Sequence, residues 1–268
     1  MRPMPVIIDP TSGLEFYELS HPWGYFTPIH PGYEDLRIER VAYHARHGAM
    51  TQRICGVMHA STHVNAPIHL VSGAQTVGTL PLDHFFGNGV VLSIPRGKWE
   101  LVTARDLDAS RPEVLPGDMV VISTGWHRYY SDSKAYFGHA PGLAEDAATW
   151  LIERQVRLVA IDTPQLDHPL ATSLGAHRNG PQIKGLVKEY EAATGRLAAE
   201  DFPRWNAAHK ALLRAGIPTI ENVGGDVDAV VGSRCTLHAA PWRWTEGDAC
   251  VVRFIAIRDP GGSYRLEA

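Results

Sequence analysis

The stretch MHASTHVNAPIHL, residues 58–70, carries three imidazoles at four- and six-residue steps: His59, His63 and His69. The amide of Asn65 sits between the last two. Imidazole is the commonest neutral metal ligand, and a divalent cation needs several donors converging from a rigid frame. Positions 59, 63, 65 and 69 are all odd, so an extended chain would turn all four side chains to one face. Pro67 excludes a continuous helix through them. Six residues of straight strand span roughly 20 Å, so His69 joins the others only if the chain folds back at Pro67.

The rest of the chain supplies the frame. Short β-branched runs bounded by Gly and Pro predict strands at 89–95, 118–124, 156–162, 217–223 and 249–257. One helix is expected through LAEDAATWLIERQ, with acids in its first turn, and another through FPRWNAAHKALLRAG, residues 202–216, stopped by Gly216. Each is followed at once by an apolar strand, which predicts helix-then-strand units in a mixed α/β single domain over 1–268. Residues 168–200 are interrupted by Gly and Pro and too long for an ordinary connection, so they form a candidate lid or insertion.

Composition narrows the function classes. The chain has 268 residues, is 44% hydrophobic and carries a net charge of -4, ordinary values for a globular domain with a sizeable core. No Lys/Arg cluster marks a nucleic-acid surface, and no window is apolar enough to span a membrane. With no signal-peptide core and three cysteines (Cys55, Cys235, Cys250) lacking any CxxC spacing, the expected address is cytoplasmic. Cys250, in the run ACVVRFIAI, is expected to be a buried, inert thiol.

HASTHVNAPIH resembles the HxGTHxDxPxH motif of the cyclase-type metal-dependent hydrolases, the family of bacterial kynurenine formamidases and isatin hydrolases. The resemblance extends to ELSHPWGYFTPIHPGYED, GDMVVISTGW, PGLAEDAATWLIERQVRLVAIDTPQLD and AHKALLRAGIPTIENV, nearly the whole chain. It implies an α/β fold of the swivelling β/β/α cyclase type, assembled as a homodimer or homotetramer. His59 and His63 match the family's first metal ligands, and Asn65 stands where it has a metal-ligating aspartate. His69 matches its general acid/base. His209 and Glu221 match the later His and Glu of the metal site. Two residues depart from the motif: Ser61 replaces its glycine and Asn65 its aspartate. A neutral amide binds a dication more weakly than a carboxylate and bridges two poorly, so one divalent ion, Zn or Mn, is expected.

Other positions are candidates for the substrate. Trp23, with Tyr25 and Phe26 beside it, lies where the resemblance implies a substrate pocket, and His30 replaces a substrate-stacking Trp of the formamidases, which argues against kynurenine formamidase specificity. His177 and Arg178, in the 168–200 segment, could grip a carboxylate or carbonyl. Asp162 ends a strand either as a site residue or as a turn cap. The expected activity is hydrolysis of a C–N bond in a small amide, lactam or imide by metal-activated water, with a histidine acid/base. A metal-dependent cyclase or dehydratase is the second reading, and a catalytically silent metal- or ligand-binding homologue the third.

Overall fold

The computed structural model describes residues 7–264. Its strands are β1 (Ile7–Ile8), β2 (Glu15–Glu18), β3 (Arg37–Ala42), β4 (Thr51–Cys55), β5 (His63–Asn65), β6 (Phe86–Ser93) and β7 (Leu101–Val102). They continue with β8 (Met119–Ser123), β9 (Gly142–Leu143), β10 (Leu158–Ile161), β11 (Thr219–Glu221), β12 (Ser233–Ala239), β13 (Ala249–Val251) and β14 (Phe254–Arg258). Ten of them form one mixed sheet in the order β1-β2-β14-β12-β6-β8-β10-β11-β5-β13. Its centre, β6-β8-β10-β11, is parallel, and both flanks are antiparallel. The hairpin β3–β4 and the short pair β7–β9 stand apart from that sheet.

Period two sorts the central strands between two cores. Val90, Leu92, Val120, Ile122, Val159 and Ile161 face a layer that includes the helices Glu145–Glu153 and Ala207–Arg214. Val91, Met119, Val121, Leu158 and Ala160 face the opposite side, packing with Leu237, Phe254 and Cys250. Strands buried on both faces read as continuous apolar runs, which is why MVVIS and LVAI were legible. The expected 249–257 strand is two strands, β13 and β14, that pair with different neighbours. Cys250 is buried in β13, as expected.

The helix expected from Phe202 starts five residues later, at Ala207. Asn206, left-handed at φ 45°, ends the preceding turn. His209 therefore lies in the first turn of that helix rather than in its middle. The 168–200 segment is folded: it carries the helix Leu186–Thr194, and Leu170, Leu174, Ile183 and Tyr190 pack against Trp126, Tyr136 and Phe137. Among the described residues no helix is long and apolar enough to cross a membrane.

Candidate metal centre

β5 is the spine of the site. It lies between β11 and β13, and its register sets His63 opposite Glu221 and Asn65 opposite Thr219. The expectation of one extended face from 59 to 69 is corrected here, since only His63–Asn65 is strand. Upstream, Ser61 takes a left-handed conformation at φ 57°, and downstream Pro67–His69 forms a turn of 3-10 helix. The two bends bring the rings together all the same. His69 lies with its ring centroid 4.2 Å from that of His59, while His63 is 5.2 Å from His59 and His209 is 5.8 Å from His69. The fold-back required of Pro67 is present.

The left-handed turn at 61 shows why a glycine suits that position. Serine there adds a side-chain contact, and its backbone carbonyl takes two more donors. Tyr130 donates its hydroxyl to Ser61 Oγ at 2.9 Å, and Asn222 Nδ2 donates to the Ser61 carbonyl at 3.0 Å. That carbonyl also accepts from His63 Nδ1 at 2.8 Å. Because the partner is an acceptor only, Nδ1 carries the proton in the neutral ring, and Nε2 is left with its lone pair. His63 Nε2 is buried, makes no hydrogen bond, and lies 3.3 Å from Glu221 Oε2. Two groups this close in a dry interior need positive charge between them, either a proton on Nε2 or a bound cation.

Glu221 is the anionic centre of this half. Its Oε1 accepts from the Leu166 N–H at 2.9 Å and lies 3.7 Å from His209 Nδ1. Burial pushes its carboxyl up, but the imidazoles of His63, His209 and His59 outweigh burial and hold it below the usual range. Burial lowers His59, and lowers His209 to about 3. Burial thus favours the neutral rings of His59 and His209, the form in which imidazole binds a metal.

Thr219 Oγ1 supports two of these groups, at 2.7 Å from His209 Nε2 and 3.4 Å from the donating Asn65 Nδ2. Asn65 is fully buried, and its Oδ1 has no partner. His209 is also held through its backbone. The Asp167 carboxylate accepts the N–H groups of Ala208 and His209 at 3.0 and 2.9 Å, capping the helix from another part of the chain. Burial pushes the Asp167 carboxyl up to about 7 against the pull of those two donors. Asp167→Ala should cost about 1–2 kcal/mol at pH 7, the scale of a lost helix cap. Urea unfolding reads this directly, and a variant as stable as the parent would show the cap to be idle.

Two participants were not foreseen. Asp248 reaches the cluster from just before β13, with Oδ2 2.9 Å from His59 Nε2 and 3.7 Å from His69 Nδ1. Tyr33 stacks on His59 at 5.8 Å. His59, His69 and Asp248 form a group able to hold a metal, their ligand atoms within 4.8 Å of one another. Hydrogen bonds from His59 and His69 hold the Asp248 carboxyl below the usual range. The unpartnered Asn65 Oδ1 and His63 Nε2, two carboxylates and four imidazoles together fit a divalent cation.

The remaining candidates divide. His30 joins the site: it lies 5.3 Å from Tyr33 and 6.2 Å from Phe137, and burial lowers it to about 4. Glu221, His59 and His63 also act on its charge. Trp23 is half-buried with an unpartnered indole N–H. His177 and Arg178, the expected grip on substrate, contact other groups. His177 Nε2 donates to the Phe202 carbonyl at 2.8 Å, and the Arg178 guanidinium lies 4.0 Å from the Trp205 ring. Asp162 is fully buried and accepts from Thr124 N, Gly125 N and His127 Nδ1, a structural clamp on the loop after β8. A surface cleft of about 310 Å³ beside Pro95, Arg96, Thr124 and Arg128 includes none of the cluster, so chemistry rather than hollow shape locates the site.

Residues 17–168 match the family model of the putative cyclases, more than half of the chain, and the protein belongs to that family. Its fold is shared with an isatin hydrolase bound to the product analogue thioisatinate, at a TM-score of 0.72 and 18% identity over 91% of this chain and 92% of that one. Isatin hydrolase A from Ralstonia solanacearum matches with a TM-score of 0.71 and 19% identity, covering 91% of this chain and 92% of its own. A potential metal-dependent hydrolase with cyclase activity matches at 0.64 and 22% identity, covering 92% of this chain and 100% of its own. At these identities the likeness establishes the mixed α/β cyclase fold.

Proposed function

We propose that this protein is a metal-dependent hydrolase that cleaves a C–N bond of a small amide, lactam or imide. The observation that carries the reading is His63 Nε2, buried 3.3 Å from the Glu221 carboxylate with the rings of His59, His69 and His209 gathered beside it. Metal-dependent and isatin-hydrolysing relatives of the same fold support it. His59, His63, His209 and Glu221 would hold one divalent ion, Zn or Mn, with Asn65 beside it. Such an ion supplies Lewis acidity, polarising a carbonyl and bringing the pKa of a coordinated water down towards about 7.

The protein's own groups do the rest. His69 gives a proton to the departing nitrogen, which is otherwise a very poor leaving anion. Its position beside His59, on the turn after β5, places it at the rim of the cluster. Tyr33 and His30 offer aromatic faces next to His59 for a planar substrate. The test is turnover of a panel of N-acyl anilines, lactams and cyclic imides by the Zn- or Mn-loaded protein. Release of the ring-opened acid or the free amine supports the reading. A loaded protein that hydrolyses none of them, but eliminates water from or cyclises a hydroxy-carbonyl compound, overturns it in favour of a dehydratase or cyclase.

The same reading includes self-association as a homodimer or homotetramer. The β3–β4 hairpin stands off the main sheet and exposes Val41, Met50 and Ile54, next to Tyr25 and the fully exposed Phe26. Apolar groups gathered on an unsupported hairpin favour contact with a second copy. Light scattering at micromolar concentration should give a dimer or larger. A monomer alone would contradict it.

A further inference from the structure

The second half of the site has a carboxylate where the motif stretch has none. Asn65 is paired across the ladder with Ala249, and the residue before Ala249 is Asp248. The Ala66 N–H donates to the Asp248 carbonyl at 2.9 Å, which fixes that backbone beside position 65. From there the Asp248 side chain turns to the imidazoles, its Oδ2 2.9 Å from His59 Nε2 and 3.7 Å from His69 Nδ1. Asn65 meanwhile contributes only a neutral amide whose oxygen is buried and unpartnered.

We propose that Asp248 is the anionic metal ligand this chain uses in place of a carboxylate at position 65. The inference rests on reading the histidine cluster as a metal centre, and adds which residue completes it. Charge supports the exchange. With neutral imidazoles, Glu221 alone leaves a dication half neutralised, whereas Glu221 and Asp248 together balance it. Geometry supports it too, because the carboxylate comes from the turn leading into β13, the neighbour of β5, rather than from β5 itself. The site keeps its anion while position 65 becomes a hydrogen-bond donor to Thr219.

Orientation of His59 by Asp248 is the rival account, and moving the carboxylate separates the two. Zn affinity of the metal-free protein is read by competition with a chromophoric chelator, and metal per chain by elemental analysis. Asp248→Asn should weaken Zn about ten-fold or more, a loss that the orienting role alone could also produce, so the second substitution decides. Adding Asn65→Asp to that variant should restore affinity to near the parent's, because the anion has returned by the other strand. An Asp248→Asn protein that binds as tightly as the parent overturns the proposal, and so does a double variant as weak as the single. A parent protein that binds no metal instead sinks the metal-centre reading itself. Asp248 is half-exposed, so its loss removes no core. Should the variant nevertheless fail to fold, Asn65→Asp alone decides, since a carboxylate added beside Asp248 should raise metal per chain under metal excess, and unchanged occupancy and affinity would contradict the proposal.

Discussion

His63→Ala should leave the protein without stoichiometric metal and without hydrolytic activity. His63 opens β5, buried, with Nδ1 tied to the Ser61 carbonyl and Nε2 3.3 Å from the Glu221 carboxylate. Alanine removes that donor and leaves the Glu221 carboxylate buried with one fewer imidazole to balance it. If His63 is a ligand, His59 cannot stand in for it, because its Nε2 is engaged with Asp248 at 2.9 Å. Elemental analysis of the purified variant reads the outcome. A full equivalent of metal in His63→Ala would remove this residue from the site.

His69→Ala should behave differently, keeping the metal while losing about a hundred-fold or more in kcat, the usual scale for a general acid or base. The distinction follows from place. His63 lies inside the ladder, whereas His69 stands on the turn after Pro67, partly exposed, beside His59 and Asp248. A residue that gives a proton to the leaving nitrogen matters less for substrates whose amine is a good leaving group. The deficit should therefore shrink with activated anilides. Loss of metal in His69→Ala would make it a ligand, joining the His59–Asp248 group, and full activity would remove it from the chemistry.

Much of this site was legible because its parts are local or regularly spaced. The histidines of residues 58–70 mark a candidate metal centre by type alone, and Pro67 marks the bend that His69 needs. The helix–strand unit from Ala207 to Glu221 carries His209 and Glu221 into place because the helix is amphipathic and β11 is buried on both sides. What the sequence hid depends on contacts between distant segments. Asp248 lies 189 residues from His59, in a half-exposed turn with no pattern of its own, and only the β5–β13 register brings it in. Tyr33 and Asp167 were hidden for the same reason. Period-two reasoning failed at Ser61, whose left-handed turn comes with hydrogen bonds from Tyr130 and Asn222 that no local rule contains. The engagement of His177 with the Phe202 carbonyl was equally non-local.

The measurement that bears most directly on the whole account is metal content against activity in the parent protein. Purified protein should carry one equivalent of a divalent transition metal per chain. Removing it with a chelator should abolish C–N hydrolysis, and Zn or Mn should bring it back. Full hydrolytic activity in protein stripped of metal would contradict the account at its centre.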